Sequence, residues 1–296
     1  MTKTRIYFNA SEVKGECCMK RVLTVQDISC LGKCSLTVAL PILSAMGVET
    51  CVVPTAVLST HTMFSGYTFR DLTEDLPPIA DHWEKEGFRF DAVYTGYLGS
   101  KRQLGLVEDY FRRFGKNALK LVDPVMADNG SLYAGFTPDF ALEMAKLCGR
   151  ADVILPNLTE AAFLLDRPYL APGTYTEAQV SDTLKRLCDL GAKTAVLTGV
   201  SFDPGKIGFM SYSAETGETD AYFHSRVEAS FHGTGDIFAS VVTGGLMLGR
   251  TLGESLRLAA DYTADCIRIT AEDPEGIRYG VYFEALIPEL LKKLGK

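Results

Sequence analysis

Residues 231–240 read Phe231-His232-Gly233-Thr234-Gly235-Asp236-Ile237-Phe238-Ala239-Ser240, and this stretch decides the fold. Two glycines flank a threonine, an aspartate follows at once, and an apolar run with helical spacing comes next. Glycine lets the backbone approach a ligand closely and turn successive N–H groups toward one point. If a helix begins at Gly233 or Thr234, its free N–H groups and its dipole favour an anion there. The stretch therefore predicts a helix whose first turn binds an anion.

Asp236 gives this anion site a chemical use. A carboxylate beside an anion site repels the anion, so its presence needs an explanation. Asp236 can act as a general base that takes a proton from a hydroxyl, while the N–H groups of Gly233, Thr234 and Gly235 stabilise charge on a transferring phosphoryl group. The alternative is an ordinary glycine-rich helix start with Asp236 in its first turn. Spacing alone leaves both interpretations open.

Composition and charge narrow the class of protein. The chain has 296 residues, an apolar share of 47% and a net charge of −7. A negative chain argues against a general nucleic-acid binder, and no apolar run is long and uncharged enough to span a bilayer. The eight cysteines form no Cys-x-x-Cys pair, and the first residues do not have the pattern of a secretion signal. We therefore expect reduced thiols in a cytoplasmic protein.

The chain divides into a short extension and one long domain. Residues 1–20 are polar and aperiodic, and we predict them to be an N-terminal extension, with disorder as one interpretation. Residues 21–296 contain no linker, repeat or low-complexity segment, so a single domain is expected there.

The opening of this domain has the pattern of a parallel α/β sheet. Residues 22–25 read as a buried strand, 26–32 as a turn, 35–46 as a helix and 49–57 as a second strand. Strand–helix–strand units of this kind build parallel sheets with crossover helices. Later strands are predicted at 90–95, 119–122, 152–155, 194–197, 207–212 and 219–224, and later helices at 72–87, 101–114, 176–190, 233–249, 252–270 and 282–294.

Polar residues follow several of these strands. Asp27 comes after the first strand and Ser59-Thr60-His61-Thr62 after the second. Active sites of parallel sheets lie beyond the carboxyl ends of the strands. These residues are therefore expected at one edge of the sheet, with the aromatic segment 64–69 as a flap over it.

A set of short motifs, in order along the chain, resembles one known family. The motifs are Asp27, Ser59-Thr60-His61-Thr62, Thr95-Gly96-Tyr97, Asp123-Pro124-Val125 and Gly233-Thr234-Gly235-Asp236. Together they resemble the pyridoxal (vitamin B6) kinase branch of the ribokinase-like kinases, from about Arg21 to the C-terminus. The resemblance implies an α/β ribokinase-like fold, in which helices flank a central, mostly parallel sheet and a small flap covers the active site.

The resemblance also implies a division of the site. Asp236 would be the catalytic base, with the anion site formed by Gly233, Thr234 and Gly235. The residues implied to contact the vitamin are Asp27, His61, Thr62, Tyr97 and Asp236. Those implied to bind ATP are Asp123, Asn157, Glu160, Thr198, Phe231, His232 and Thr234, and those implied to serve Mg²⁺ are Asp123 and Glu160.

Each of these residues also has a plain structural interpretation. Asp27 can brace its turn, His61 can be a core or capping residue, and Tyr97 can pack at a strand end. Asn157 and Glu160 have the spacing of a capping box, which is compatible with a role near phosphate.

Two departures from the family pattern leave details open. Asp27 stands where relatives often carry Ser, so the preferred form of the vitamin is open. Leu155 stands where some relatives carry Thr as part of a monovalent-cation site, and Leu offers no side-chain oxygen. A potassium requirement is therefore also open.

The implied activity is the ATP-dependent phosphorylation of the 5′-hydroxymethyl group of pyridoxal, pyridoxine or pyridoxamine, in salvage of vitamin B6 to pyridoxal 5′-phosphate.

Other classes of enzyme have less support from the sequence. The chain contains neither the Gly-x-x-x-x-Gly-Lys-Ser/Thr loop of the usual NTPases nor the Gly-x-Ser-x-Gly elbow of hydrolases. Two alternatives remain: a kinase for the hydroxymethylpyrimidine of thiamine synthesis, and a non-catalytic vitamin-binding regulator on the same fold. Because relatives commonly pair, the resemblance also implies a homodimer.

Overall fold

The computed structural model describes residues 19–274 and 279–296, and it is organised around one nine-stranded sheet. The strand order is β11-β10-β9-β8-β5-β4-β1-β2-β3. All neighbours from β9 to β2 are parallel, whereas β3 at one edge and β10 and β11 at the other are antiparallel. The strands are β1 Arg21–Leu31, β2 Glu49–Thr60, β3 Phe69–Asp71, β4 Ala92–Thr95, β5 Leu119–Val122, β8 Val153–Ile154, β9 Thr194–Val200, β10 Lys206–Ser213 and β11 Thr219–Ser225.

A separate two-stranded hairpin stands beyond the end of β5. Its strands are β6, Ala127–Asp128, and β7, Ser131–Leu132. Asn129 and Gly130 form its turn with φ of 50° and 80°, as a tight hairpin turn requires. The sequence Asp128-Asn129-Gly130 has the residue types of such a turn.

Helices cover both faces of the sheet. They are α1 Leu36–Ala45, α2 Leu76–Lys85, α3 Lys101–Phe114, α4 Pro138–Cys148, α5 Leu158–Leu164, α6 Glu177–Asp189, α7 Thr234–Met247, α8 Leu252–Ala271 and α9 Ile287–Lys293. One buried cluster joins α2 to α6 with one face of the sheet, and a second joins α1, α7, α8 and α9 with the other. Neighbouring residues of β1 alternate between them, because Val22 belongs to the second cluster and Leu23 to the first. This is the predicted α/β architecture.

The first strand is longer than the sequence predicted. Residues 26–32 had the residue types of a turn, but β1 runs through them to Leu31. A shift of register between Gln26 and Ile28 marks a bulge, beyond which β1 still pairs with β2 as far as Thr60. Strand β3, which the sequence did not predict, pairs antiparallel with residues 56–58 of β2.

Two helix predictions need correction. The helix predicted at 72–87 begins as α2 only at Leu76, after a 3₁₀ turn at Thr73–Asp75, and Pro77 and Pro78 occupy its first turn, where no backbone N–H is needed. The C-terminal helix does not include Tyr282 and Phe283; a short 3₁₀ turn at Glu284–Leu286 leads into α9.

The segment before α9 packs against the loop between β1 and α1. The Lys33 N–H donates to the Tyr279 carbonyl at 2.9 Å, and the Lys33 ammonium pairs with Glu284 at 2.6 Å. The same ammonium lies over the rings of Tyr282 and Phe283. The end of the chain therefore supports a loop near its beginning.

Two further observations concern the described part of the chain. No described helix is long and apolar enough to cross a membrane. The six described cysteines, at 30, 34, 51, 148, 188 and 266, are free thiols, as expected. The predicted extension lies outside the described residues as far as residue 18, and the prediction of a single domain over 21–296 stays a prediction.

Candidate active site

The predicted site residues converge on the edge formed by the carboxyl ends of the parallel strands. Asp27 lies at the bulge of β1, His61 directly follows β2, and Asp123 directly follows β5. Asn157 comes just after β8 and forms an isolated parallel bridge with Thr198 of β9. The first turn of α7 faces the same edge.

Gly233 fixes how α7 begins. It is the N-cap residue, with φ of 81°, a conformation that suits glycine. A Cβ at this position would lie 1.7 Å from the Lys33 carbonyl oxygen, so no larger residue fits without moving the β1–α1 loop. Because Gly233 has no side chain, the N-cap residue does not compete with an anion for the first N–H groups of α7.

Asp236 lies in this first turn and is 8% exposed. Its Oδ1 atom has no hydrogen-bond partner among the described residues. Burial is the main cause that raises the pKa of Asp236 to about 7; the backbone N–H of Ser35 opposes the rise, and the charge of Asp27 adds to it. A carboxylate with a free oxygen and a pKa near neutrality has the properties of a general base.

Asp123 and Glu160 form a second acidic group beside Asp236. Burial, and then the charges of Glu160 and Asp236, hold the pKa of Asp123 well above its usual range. Burial raises the pKa of Glu160 to about 8, although the backbone N–H groups of Asn157, Met126 and Ala127 oppose the rise. These buried carboxylates are near enough to disfavour each other's ionised form, which a bound cation would relieve.

The capping interpretation of Asn157 and Glu160 is confirmed. Asn157 Oδ1 accepts from the N–H groups of Thr159 and Glu160 at 2.8 and 2.9 Å, and Glu160 Oε2 accepts from the Asn157 N–H at 2.9 Å. Glu160 Oε1 also accepts from the Met126 N–H at 3.2 Å. Glu160 is therefore fixed rigidly where it faces Asp123.

This acidic group fits Mg²⁺ only as a partial ligand set. Among the described residues, no three His, Cys, Asp or Glu side chains are grouped to enclose a metal ion. The Asp123 carboxylate accepts no hydrogen bond from the described residues, so its oxygens are free. Mg²⁺ in such sites takes one or two carboxylates and completes its shell with water and phosphate oxygens. Asp123 and Glu160 suit that arrangement.

His61 is buried where the segment after β2 meets the residues just before α7. Only 6% of it is exposed, and its ring stacks on His232 at a centroid distance of 5.0 Å. The Phe64 ring also packs against the His61 ring, tilted by 49° and with the same centroid distance of 5.0 Å. Burial, and then His232, lower the pKa of His61, so the ring is neutral at pH 7. His232, assigned from the sequence to ATP, thus lies at the junction with the segment assigned to the vitamin.

Tyr97 and Asp27 lie near each other. Burial, and then the charge of Asp27, raise the pKa of Tyr97 to about 12. Tyr97 packs against Phe136 at 5.5 Å. Asp27 is buried as well, and its burial raises its pKa. The hydroxyls of Ser35 and Ser29 oppose this rise. An aromatic ring and a carboxylate therefore face the same part of the site.

The remaining predicted residues lie at the margins of this arrangement. Thr62 is exposed in the turn after β2, and Gly235 is exposed at the start of α7. Phe231 is half-buried, its carbonyl accepting from Thr234 Oγ1 at 3.3 Å. Thr198 is half-buried, and its N–H donates to the Pro156 carbonyl at 3.0 Å.

Ser35 belongs to the site although its sequence did not indicate it. Its backbone N–H faces Asp236 and its hydroxyl faces Asp27. The only signal was a serine at the start of the predicted helix 35–46, which by itself indicates an N-cap.

The structure resembles solved kinases over nearly its whole length. It matches a Bacteroides thetaiotaomicron protein, described as a phosphomethylpyrimidine kinase and crystallised with pyridoxal, with a TM-score of 0.87 and 39% identity over 92% of this chain and 96% of that one. It matches pyridoxal kinase from Lactobacillus plantarum with a TM-score of 0.84 and 33% identity, over 92% and 97% of the chains. Fold and site thus define the class: a ribokinase-like kinase.

Sequence comparison narrows the class to a family. The phosphomethylpyrimidine kinase family model matches residues 40–280. Bovine pyridoxal kinase is 28% identical over 245 residues, covering 75% of this chain and 76% of that protein. The chain belongs to the phosphomethylpyrimidine kinase family, in its pyridoxal kinase branch.

Proposed function

We propose that this protein transfers the γ-phosphoryl group of ATP to the 5′-hydroxymethyl group of pyridoxal, pyridoxine or pyridoxamine, in salvage of vitamin B6 to pyridoxal 5′-phosphate. One observation carries the proposal. Asp236 is buried at the open N-terminus of α7, with its Oδ1 atom unpartnered among the described residues and its pKa raised to about 7. A binding protein has no need of a base beside an anion site, so this geometry favours an enzyme over a non-catalytic regulator.

The chemistry follows from these positions. The hydroxyl oxygen of the substrate attacks the γ-phosphorus of ATP while Asp236 Oδ1 accepts the proton of that hydroxyl. The bond between the γ-phosphorus and the β,γ-bridging oxygen breaks, and ADP leaves. The free N–H groups at the start of α7 stabilise the charge on the transferring phosphoryl oxygens. The closeness of Gly233 to the Lys33 carbonyl fixes these N–H groups before substrate binds.

We assign the metal to the acidic group of Asp123 and Glu160, beside the start of α7. Asp123 and Glu160 would hold Mg²⁺ together with water and ATP oxygens. The ion would supply neutralising charge to the ATP phosphates. Glu160 is held in place by the backbone N–H groups of Asn157 and Met126, so it would keep its position whether or not nucleotide is bound.

A flat pyridine ring suits the other half of the site. Tyr97 offers an aromatic surface, Asp27 a carboxylate for a protonated ring nitrogen, and His61 a neutral imidazole for a ring substituent. The Bacteroides protein that is 39% identical to this chain was crystallised with pyridoxal.

The test is turnover with purified full-length protein. The protein is incubated with Mg-ATP and each of the three B6 vitamers, and ADP and the phosphorylated vitamin are measured; Asp236→Asn serves as the inactive control. Stoichiometric formation of both products by the wild type supports the proposal. No product from any vitamer refutes it.

A second candidate is supported by the family description and by the description of the Bacteroides protein. Both carry the name phosphomethylpyrimidine kinase. The thiamine pyrimidine is therefore included as a fourth substrate. A kcat/KM for it above those of all three vitamers would reassign the protein to that reaction.

We also propose that the protein is cytoplasmic and forms a homodimer. The free thiols of the described cysteines suit a reducing compartment. Leu31 and Phe69 are about half exposed near the β3 edge of the sheet, at 53% and 50%, and a second copy would cover such apolar side chains. Light scattering gives the mass in solution, and a monomer at micromolar concentration would overturn the dimer.

A further inference from the structure

The loop between β1 and α1 places Ser35 between the two halves of the active site. Ser35 is buried, 5% exposed, and has φ of 51° and ψ of −131°. A residue with a Cβ adopts this conformation only at a cost, and such costs concentrate at functional sites. Two of the three non-glycine residues with positive φ in the described chain, Asn129 and Asp166, lie in exposed turns; Ser35 is the buried one.

Several contacts hold this conformation in place. Lys33 is held by Tyr279 and by the close approach of Gly233. The Thr37 hydroxyl donates to the carbonyls of Gly32 and Cys34 at 2.9 and 2.7 Å, which closes the loop on its other side. The loop is thus fixed from both ends, and Ser35 takes the dihedral angles that remain.

Ser35 does not use its side chain as a serine at this position normally would. It is the N-cap residue of α1, yet its hydroxyl caps no N–H group of the helix. The hydroxyl instead faces Asp27, while the Ser35 backbone N–H faces Asp236. One residue therefore lies beside both the carboxylate assigned to the vitamin and the carboxylate assigned to catalysis.

We propose that Ser35 is a positioning residue that sets the Asp27 carboxylate for the vitamin through its hydroxyl and the Asp236 carboxylate for proton transfer through its backbone N–H. The inference rests on the proposed function. In this role the interaction of the hydroxyl with Asp27 offsets part of the cost of the positive φ, and the positive φ directs the N–H toward Asp236. The side chain and the backbone of Ser35 thus depend on each other.

Two substitutions separate these roles. Ser35→Gly removes the hydroxyl but suits the positive φ, so the N–H keeps its direction. We expect KM for the vitamer to rise about tenfold, with a change in kcat of less than threefold and no loss of thermal stability. Ser35→Ala also removes the hydroxyl but, unlike glycine, keeps the cost of the positive φ with no interaction to offset it, so the direction of the Ser35 N–H is no longer secured. We expect the same rise in KM, a fall in kcat of at least tenfold and a lower Tm.

Asp166→Gly is the matched control. Asp166 has φ of 48° in an exposed turn after α5, so glycine there relieves the same kind of strain away from the site. Its kinetic constants should equal those of the wild type. A purely structural role for Ser35 predicts that Ser35→Gly also keeps wild-type KM, and that result would overturn the proposal. So would wild-type kcat in Ser35→Ala.

The wild-type assay distinguishes failure of the proposed role of Ser35 from failure of the proposed function. Calorimetric titration with pyridoxal accompanies the kinetics and gives vitamer affinity without turnover. An inactive wild type refutes the proposed function and the role of Ser35 with it. An active wild type whose Ser35 variants match it in both affinity and turnover refutes the role of Ser35 alone.

Discussion

Gly233→Ala should abolish most of the activity by moving the first turn of α7. The new Cβ would lie 1.7 Å from the Lys33 carbonyl oxygen, whereas real Cβ contacts are no shorter than about 3.0 Å. The β1–α1 loop and α7 must therefore separate by more than an ångström. A misplacement of this size costs on the order of 10²-fold in rate, and loss of anion-stabilising N–H groups costs roughly 10²–10³-fold. We expect kcat to fall by at least about 10²-fold.

Gly217→Ala and Gly235→Ala are controls that separate the steric clash of a Cβ at position 233 from the backbone strain of a positive φ. Gly217 has φ of 71°, and a Cβ added there would meet no atom within 4 Å, so alanine at this position adds strain alone. That strain is about 1 kcal/mol, which lowers Tm by about 2–4 °C in a chain of this size. Gly235 has neither a positive φ nor a contact closer than 3.9 Å, to Asp123 Oδ2.

The assay pairs steady-state kinetics with thermal unfolding of the three variants. Gly233→Ala should lose both rate and stability, Gly217→Ala stability alone, and Gly235→Ala little of either. If Gly233→Ala kept wild-type kcat and a Tm equal to that of Gly217→Ala, the fixed anion site would be the wrong explanation of the glycine.

Three further predictions concern the buried ionisable groups. Asp236→Asn should lower kcat by roughly 10²–10⁴-fold, and wild-type kcat/KM should rise with pH through about 7, where Asp236 loses its proton; a flat acidic limb in the wild type would contradict this. Glu160→Gln should raise the Mg²⁺ concentration needed for half-maximal rate. The pKa of Glu160 is raised to about 8 in the folded protein, so above pH 4.5 the metal-free wild type binds more protons when folded than when unfolded. Its free energy of unfolding should therefore fall as the pH rises toward 8. Thermal unfolding at several pH values should show a smaller fall for Glu160→Gln. His61→Ala should raise KM for the vitamer and leave the Mg²⁺ response unchanged; an effect on Mg²⁺ alone would show that the two halves of the site are wrongly assigned.

Local patterns predicted the elements that carry their own signals. Helix α3 and strand β5 have the predicted bounds. For α3 the reason is that Ser100 caps its start and Gly115 ends it. The capping box of Asn157 and Glu160 was equally visible in the spacing and is present. Here the sequence contains both the pattern and its stop signal.

Features that depend on distant partners were not predictable. The polar residues after Val25 indicate a turn, yet β1 continues because β2 pairs with it beyond the bulge. His61 stacks on His232, which lies far along the chain, so no local spacing could show the contact. The role that we propose for Ser35 depends on a positive φ that several separate elements impose. In each case tertiary contacts override the local preference.

The contact of Lys33 with Tyr279 and Glu284 has a consequence for synthesis of the protein. Lys33 and Glu284 are 251 residues apart, so a ribosome needs on the order of 10–50 s to make the second after the first. During that time the β1–α1 loop lacks its C-terminal support, although the sheet around it can already pair. A nascent chain, or one that ends before residue 279, should therefore fold much of the sheet without a competent site. Synthesis of the segment around Tyr279 and Glu284 therefore decides when this loop gains its support.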